Sequence, residues 1–309
     1  MTVLARQQQS LQESQLVTSN GASARLYLGE NFASLGSVEF SHNNNRTAAL
    51  DLLRLAASMA HKQGQKTLIA PLDGDTWHSY RTIIESSAQP KFFLEPDSLL
   101  SADILKEAGF ELIAQYSSSL IDLAASQGAI DTTIAKRQTA IESSFSIRHL
   151  NSNKFESELK DIYDLSLSSF ANNFLYQAIA FEQFAELYRP LSALISDELV
   201  WLAFNQSKLV GLMFALPDQL NKEQIILKSV AVHPEFSGLG LASYLLACVH
   251  KEAVKLGFTH SVQALYKDEN RSAALTADLS TNLIRRYGLF ALDLNSLKNN
   301  INRNNRNNK

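Results

Sequence analysis

Chemistry is first suggested by VAVHPEFSGLGLAS, residues 230–243, through residue type and spacing. An apolar alternation ends at His233-Pro234, glycines follow at 238 and 240, and an amphipathic run begins at Leu241. A helix starting near Gly240 leaves its first backbone N–H groups without intrahelical partners. Those donors, with the positive end of the helix dipole, make a site suited to an anion and best to phosphate. The two glycines let a large anion approach the backbone, while Ala242 and Ser243 keep the next turn small. The loop lacks the third glycine of a dinucleotide fingerprint and the Lys-Ser/Thr of a P-loop. Taken alone, it is also what a plain strand-to-helix turn would contain.

Other residues invite weaker readings. GDTWHSYR (74–81) gathers Asp75, Trp77, His78, Tyr80 and Arg81. It reads either as a substrate-recognition loop built on Trp77 and His78 or as a Trp-anchored turn capped by Asp75. His233 has the side-chain type of a near-neutral base, and equally of a loop residue facing solvent. Glu198 and Asp218 stand at strand ends, as acceptor-side carboxylates or as solvated termini. Seven histidines and the single Cys248 show no zinc-ligand spacing, so no metal is expected. There is no nucleophile elbow to support a Ser/His/Asp triad.

The elements that must position these residues fall into two halves of similar order. In the first, LGSVEF (35–40) alternates like a strand and AALDLLRLAASMAHKQG carries a helical stripe ending near Gly64. KTLIAPL, KFFLEP, the short helix DILKEAG and the strand FELIAQYSS follow. Residues 121–143 read as a connecting helix and linker. The second half opens with the strand SFSIRHL, continues with helical stretches around 154–170 and 180–195, and enters a meander. Its strands are ELVWLAFN, KLVGLMFALPD and QIILKSVAVHP, with a hairpin expected at NQSK. After the glycine loop come a helix ending near Gly257, the strand SVQALY and a last strand or hairpin, LIRRYGLFALDL. The layout is mixed α/β or α+β, and not doubly wound.

Bulk properties narrow the partners. The chain has 309 residues, 45% hydrophobic and 19% charged, with net charge −3. Two domains are expected at this length, and nothing in the charge calls for nucleic acid or an anionic membrane. One cysteine suits a reducing cytosol, the start lacks an apolar signal or anchor, and no run approaches the ~20 apolar residues of a membrane span. The expectation is a soluble cytoplasmic protein, with room for a homodimer. Its Asn-rich tail, 295–309, reads as disordered.

The meander leading into VAVHPEFSGLGLASYLL, followed by a strand and the Asn-containing loop DENRS, resembles the GNAT acetyltransferase superfamily over about residues 144–294. The family's signature, Gln/Arg-x-x-Gly-x-Gly/Ala, falls on Ser237, Gly238, Leu239, Gly240, Leu241 and Ala242. The resemblance implies that this loop and Ser243 hold the pyrophosphate of acetyl-coenzyme A. It also implies that Val230, Ala231 and Val232 pair with the pantetheine arm, with the Val232 amide aimed at the acyl carbonyl, and that Asn270 contacts the cofactor. Two positions depart from the pattern: Ser237 replaces the long Gln/Arg, and the family's proton-donating tyrosine is Ala277. Tyr287 is then the substitute donor or a packed strand tyrosine.

The first half resembles a degenerate copy, with SHNNNRT (41–47) where the glycine loop would be. The expected domains are 1–120, a linker at 121–143, 144–294, and the tail. The implied activity is acetyl transfer from acetyl-CoA to an amine of a small molecule or peptide. A non-catalytic acyl-CoA-binding module and an aminoacyl or peptidyl transferase are the alternatives.

Overall fold

The computed structural model describes residues 14–41, 46–96 and 98–296. The SHNNNRT loop lies largely outside these, as does most of the Asn-rich tail. The chain divides into two compact units that are not contiguous in sequence. The larger takes 87–95 and 117–285, and the smaller takes the remaining described residues.

The smaller unit begins with a hairpin, β1 (Ser14–Ser19) and β2 (Ala22–Leu28), which the sequence reading missed. Its signal was Asn20-Gly21, the dipeptide of a two-residue hairpin turn, and both residues have positive φ (46° and 80°). The sheet continues through β3 (Ala33–Phe40), β4 (Thr67–Ala70), β12 (Thr281–Asp293) and β6 (Glu111–Asp122), with β5 (Thr82–Ser86) also on β12. Helix α1 (Arg46–Lys62) buries Leu52, Leu53, Ala56 and Ala60 against Val17, Leu26, Leu35 and Leu68. That stripe follows the helical spacing visible in the sequence. The short α2 (Ala102–Glu107) is capped by the Ser101 hydroxyl, which accepts the Ile104 N–H.

In the larger unit the strand order is β6, β11 (His260–Lys267), β10 (Gln224–Val232), β9 (Lys208–Pro217), β8 (Val200–Asn205) and β7 (Ser146–His149). The expected hairpin at NQSK joins β8 to β9, with Asn205 opposite Lys208. Helix α6 (Leu241–Lys255) lies on one face, where Leu241, Leu245 and Val249 meet Met213 and Ile225. Met213 and Phe214 are successive strand residues and so point to opposite faces. Phe214 meets Tyr188 of α5 (Phe181–Tyr188) at 5.9 Å between ring centroids, which puts α5 on the other face. Helix α4 (Phe155–Phe170) joins it there through Tyr163 and Phe184, 5.4 Å apart. Both units repeat one pattern, antiparallel strands leading to a parallel pair bridged by a helix: β3–α1–β4 and β10–α6–β11.

The structure corrects the sequence boundaries. Helix α3 (Leu123–Ser144), expected as a connecting helix and linker, belongs to the larger unit, where Ile130 and Ile141 enter the same core as α6. Strands β6 and β12 each give one part to one unit and the rest to the other. A cut at residue 144 would remove β6 and α3 from the larger unit and β12 from the smaller. Neither half of the sequence coincides with one of the two units.

On the buried face of α6, His250 is fully enclosed, and one ring nitrogen, Nε2, lies 3.1 Å from Ser261 Oγ. Burial opposes the charged ring and pushes its pKa from the ordinary 6.5 down to about 3. The unfolded chain therefore binds this proton more readily, so the contribution to stability is complete above pH 6.5 and is lost as pH falls towards 3. Its slope reaches about 1.4 kcal/mol per pH unit. In urea titrations at pH 7 and pH 5, His250→Leu should lose less stability on acidification than the wild type. Equal losses would show that His250 is not the acid-sensitive group.

Candidate functional site

Parallel pairing of β10 with β11 runs from Gln224↔His260 to Leu227↔Gln263 and stops there. A bulge at Lys228 shifts the register against β9, after which Ser229 to Val232 pair with Phe214 to Gly211 alone. The direction of the free amides follows from one bond. The His233 N–H donates to Val210 O at 2.8 Å, so the odd-numbered residues of this segment face β9. Val230 and Val232 accordingly turn their N–H and C=O groups to the opposite edge, which β11 has left. On the other side of the gap, the Leu265 N–H is satisfied by Ser118 Oγ at 2.9 Å, and Leu265 itself has φ 58°. The gap is thus a built feature, an open strand edge beside which an extended chain could lie.

That edge leads directly into the glycine loop. Residues 234–236 form one turn, Ser237 to Leu239 are exposed, and α6 starts after Gly240. Gly238 (φ 85°) and Gly240 (φ 83°) both occupy the left-handed region that disfavours a side chain. No side chain caps α6, and its first internal bond is the Tyr244 N–H to Gly240 O at 3.0 Å. The amides of Leu241, Ala242 and Ser243 therefore remain open to an anion. The glycines differ in what surrounds them. A Cβ on Gly238 would meet nothing within 4 Å, whereas one on Gly240 would lie 1.8 Å from Arg137 Nη1 and 2.6 Å from its Cζ. Gly238 leaves approach open, and Gly240 makes room for a guanidinium from α3. An anion carried on an extended arm could be held by this strand edge and loop.

Sequence reasoning did not find Arg137. Its signal was an arginine at 137 on the helix stripe marked by Ile130, Ile134 and Ile141, three residues that meet the α6-side core. Nearby, the Tyr244 hydroxyl donates to Glu142 Oε1 at 2.6 Å, a second link from α3 to α6. Burial and this carboxylate push the Tyr244 pKa upward. Lys228, at the bulge, was also missed. Its ammonium donates to the Tyr188 hydroxyl at 3.0 Å and lies 4.1 Å from that ring's centre.

The structure separates the remaining sequence candidates. Asn270 is exposed and opens a short turn after β11, beside the segment that contains Ala277. Tyr287 is fully buried within β12, in the part assigned to the smaller unit. A proton donor needs a face open to its acceptor, so this burial suits packing. Asp218 is buried and accepts the N–H groups of Phe93 (3.0 Å) and Leu220 (2.8 Å), a structural role. Glu198 is exposed, and its Ser196 hydrogen bond holds its carboxyl below the usual range. His233 Nε2 lies 3.0 Å from the Lys208 ammonium, so its lone pair is engaged. In the smaller unit, Asp75 Oδ1 accepts the backbone N–H groups of Trp77 (2.8 Å) and His78 (3.2 Å) and also meets His78 Nδ1 (2.8 Å). These are the bonds of the capped turn. Among the described residues, no group of His, Cys, Asp or Glu is placed to hold a metal ion, and no helix is long and apolar enough to cross a membrane.

A strand that leaves its parallel neighbour at a bulge and runs into an uncapped, glycine-opened helix agrees with the family comparison. Residues 159–277 match the acetyltransferase (GNAT) family. The matched segment holds the open edge, the loop and Asn270, and stops short of β12. No curated protein matches the chain in sequence.

Among solved structures, a GCN5-related N-acetyltransferase from Sphaerobacter thermophilus is similar at TM-score 0.54 and 13% identity, over 92% of this chain and 81% of that one. A tandem GNAT protein from the clavulanic acid biosynthesis pathway is similar at TM-score 0.52 and 15% identity, over 88% and 79%. These likenesses are of fold, and they reach beyond the segment that matches the family. The mixed sheets flanked by helices are those of tandem GNAT folds.

Proposed function

We propose that the larger unit is an acyl-CoA-dependent N-acyltransferase that moves an acetyl group from acetyl-CoA to an amine of a small molecule or peptide. The observation that carries this reading is the open edge of β10 after Leu227, continuous with the Gly238–Gly240 loop. When bound, the thioester would supply the activated acyl carbon. This chain's residues would do the rest.

The amides of Leu241 to Ser243 would hold the diphosphate, and the free groups of Val230 and Val232 would pair with the arm as an added strand. The outward Val232 N–H would donate to the oxygen that gains charge as the amine attacks. One such fixed donor is typically worth roughly 100- to 1,000-fold in rate. The amine must be neutral to attack, so its proton passes to a base or to a relayed water. Fixing two reactants in register can contribute about 7–11 kcal/mol, which lets acyl transfer proceed without a dedicated acid at position 277.

The buried Tyr287 and the alanine at 277 favour a second reading, an acyl-CoA-binding module without turnover. Calorimetry with acetyl-CoA, followed by thiol release across a panel of amines, separates the two. Binding with amine-dependent thiol release is the expected result. Binding without release for every amine would favour the module, and no binding would overturn both readings.

A further inference from the structure

The loop has a cation that its own sequence does not contain. Ser237 stands where the resemblance expects a long Gln or Arg, yet the guanidinium of Arg137 lies against Gly240, within 1.8–3.2 Å of where a Cβ would stand. It comes from α3, a helix outside the segment that matches the family. Arg137 is held there by its helix: Ile134, one turn before it, packs on the α6-side core, and Ile141, one turn after it, is buried in it. Among the described residues no carboxylate pairs with Arg137, although Glu142 is on the same helix and is taken by Tyr244. A guanidinium with no carboxylate partner among the described residues, beside open helix-start amides, presents a planar fork of donors matched to phosphate oxygens.

We infer that Arg137 is a binding residue for the diphosphate of the nucleotide-linked thioester, supplied from α3 in place of the side chain missing at Ser237. This rests on the acyl-CoA reading of the loop and assigns it a contact that the loop's own sequence does not carry. Gly240 acquires a second reason to be glycine, because any side chain would displace the guanidinium. The α3 segment, expected to be a linker, becomes part of the donor site.

The test uses the full-length protein and the variants Arg137→Met, which keeps an apolar stem without charge, and Arg137→Lys. Calorimetry is run with CoA and with 3′-dephospho-CoA, which retains the diphosphate. Arg137→Met should bind both probes roughly 10- to 100-fold more weakly, as expected for losing a charge-assisted contact, with an unchanged melting temperature. Arg137→Lys should recover part of the affinity, since a point charge replaces a fork. The wild type's affinity should also fall more steeply with salt than that of Arg137→Met. Unchanged affinity in Arg137→Met would overturn the inference. So would a loss confined to CoA, which would place Arg137 at the 3′-phosphate, or a loss accompanied by a lower melting temperature, which would make the residue structural. Failure of the wild type to bind either probe would remove the acyl-CoA reading itself.

Discussion

Gly240→Glu should weaken coenzyme A binding by roughly a hundredfold or more while the chain remains folded. Three effects act together at this position. The residue has φ 83°, so any side chain there carries about 1–2 kcal/mol of backbone strain, localised to the start of α6. The new Cβ would collide with Arg137 Nη1, 1.8 Å away, and displace it. The added carboxylate would then sit among the amides of Leu241 to Ser243, or on the guanidinium itself, and satisfy the groups that should receive phosphate. Gly240→Ala carries the strain and the collision without the charge, so its affinity should fall between those of the wild type and Gly240→Glu. Calorimetry with coenzyme A, with circular dichroism to confirm folding, measures the series. Retained affinity in a folded Gly240→Glu protein would reduce the loop to a structural turn.

Glu95→Ala should produce the largest loss of stability, about 3–5 kcal/mol, because it leaves a buried guanidinium without its counter-charge. Glu95 and Arg285 are almost fully enclosed, with side-chain exposures of 1% and 6%, and Arg285 Nε lies 3.0 Å from Glu95 Oε1. The Arg285 Nη groups donate to carbonyls: Nη2 to Gln89 O at 2.7 Å, and Nη1 to Ile284 O at 2.9 Å and Ser87 O at 3.4 Å. The pair therefore ties the 87–95 segment to the beginning of β12 inside the larger unit, across nearly two hundred residues of sequence. A fall in melting temperature of roughly 10 °C is expected for this loss in a unit of this size. Glu95→Gln keeps an acceptor for the guanidinium and should cost less. If Glu95→Ala melts with the wild type, the pair makes no net contribution and the 87–95 segment is held by other contacts.

Much of the candidate site could be read from sequence because its determinants are local. Two glycines between an alternating run and a helical stripe specify a bare strand-to-helix turn, and the structure places positive φ at both positions. The α1 and α6 stripes, the β8–β9 hairpin and the mixed sheet were legible for the same reason: side-chain period and turn chemistry act over a few residues. Even the missed β1–β2 hairpin was written locally, in Asn20-Gly21.

Tertiary structure alone decided what is non-local. The opening of β10 from β11 depends on where pairing between distant strands stops, and a bulge at Lys228 leaves no distinctive residue pattern. Arg137 reaches Gly240 over a hundred positions because α3 packs on α6, so a helix that read as a linker brings its cation to the loop. The domain boundaries moved because β6 and β12 each serve both units, and periodicity shows that a strand exists without naming its neighbours. Sequence by itself determined the elements and the glycine-opened turn. Long-range pairing and packing, whose partners are chosen by burial across the whole chain, determined the open edge, the guanidinium beside the loop and the membership of each unit.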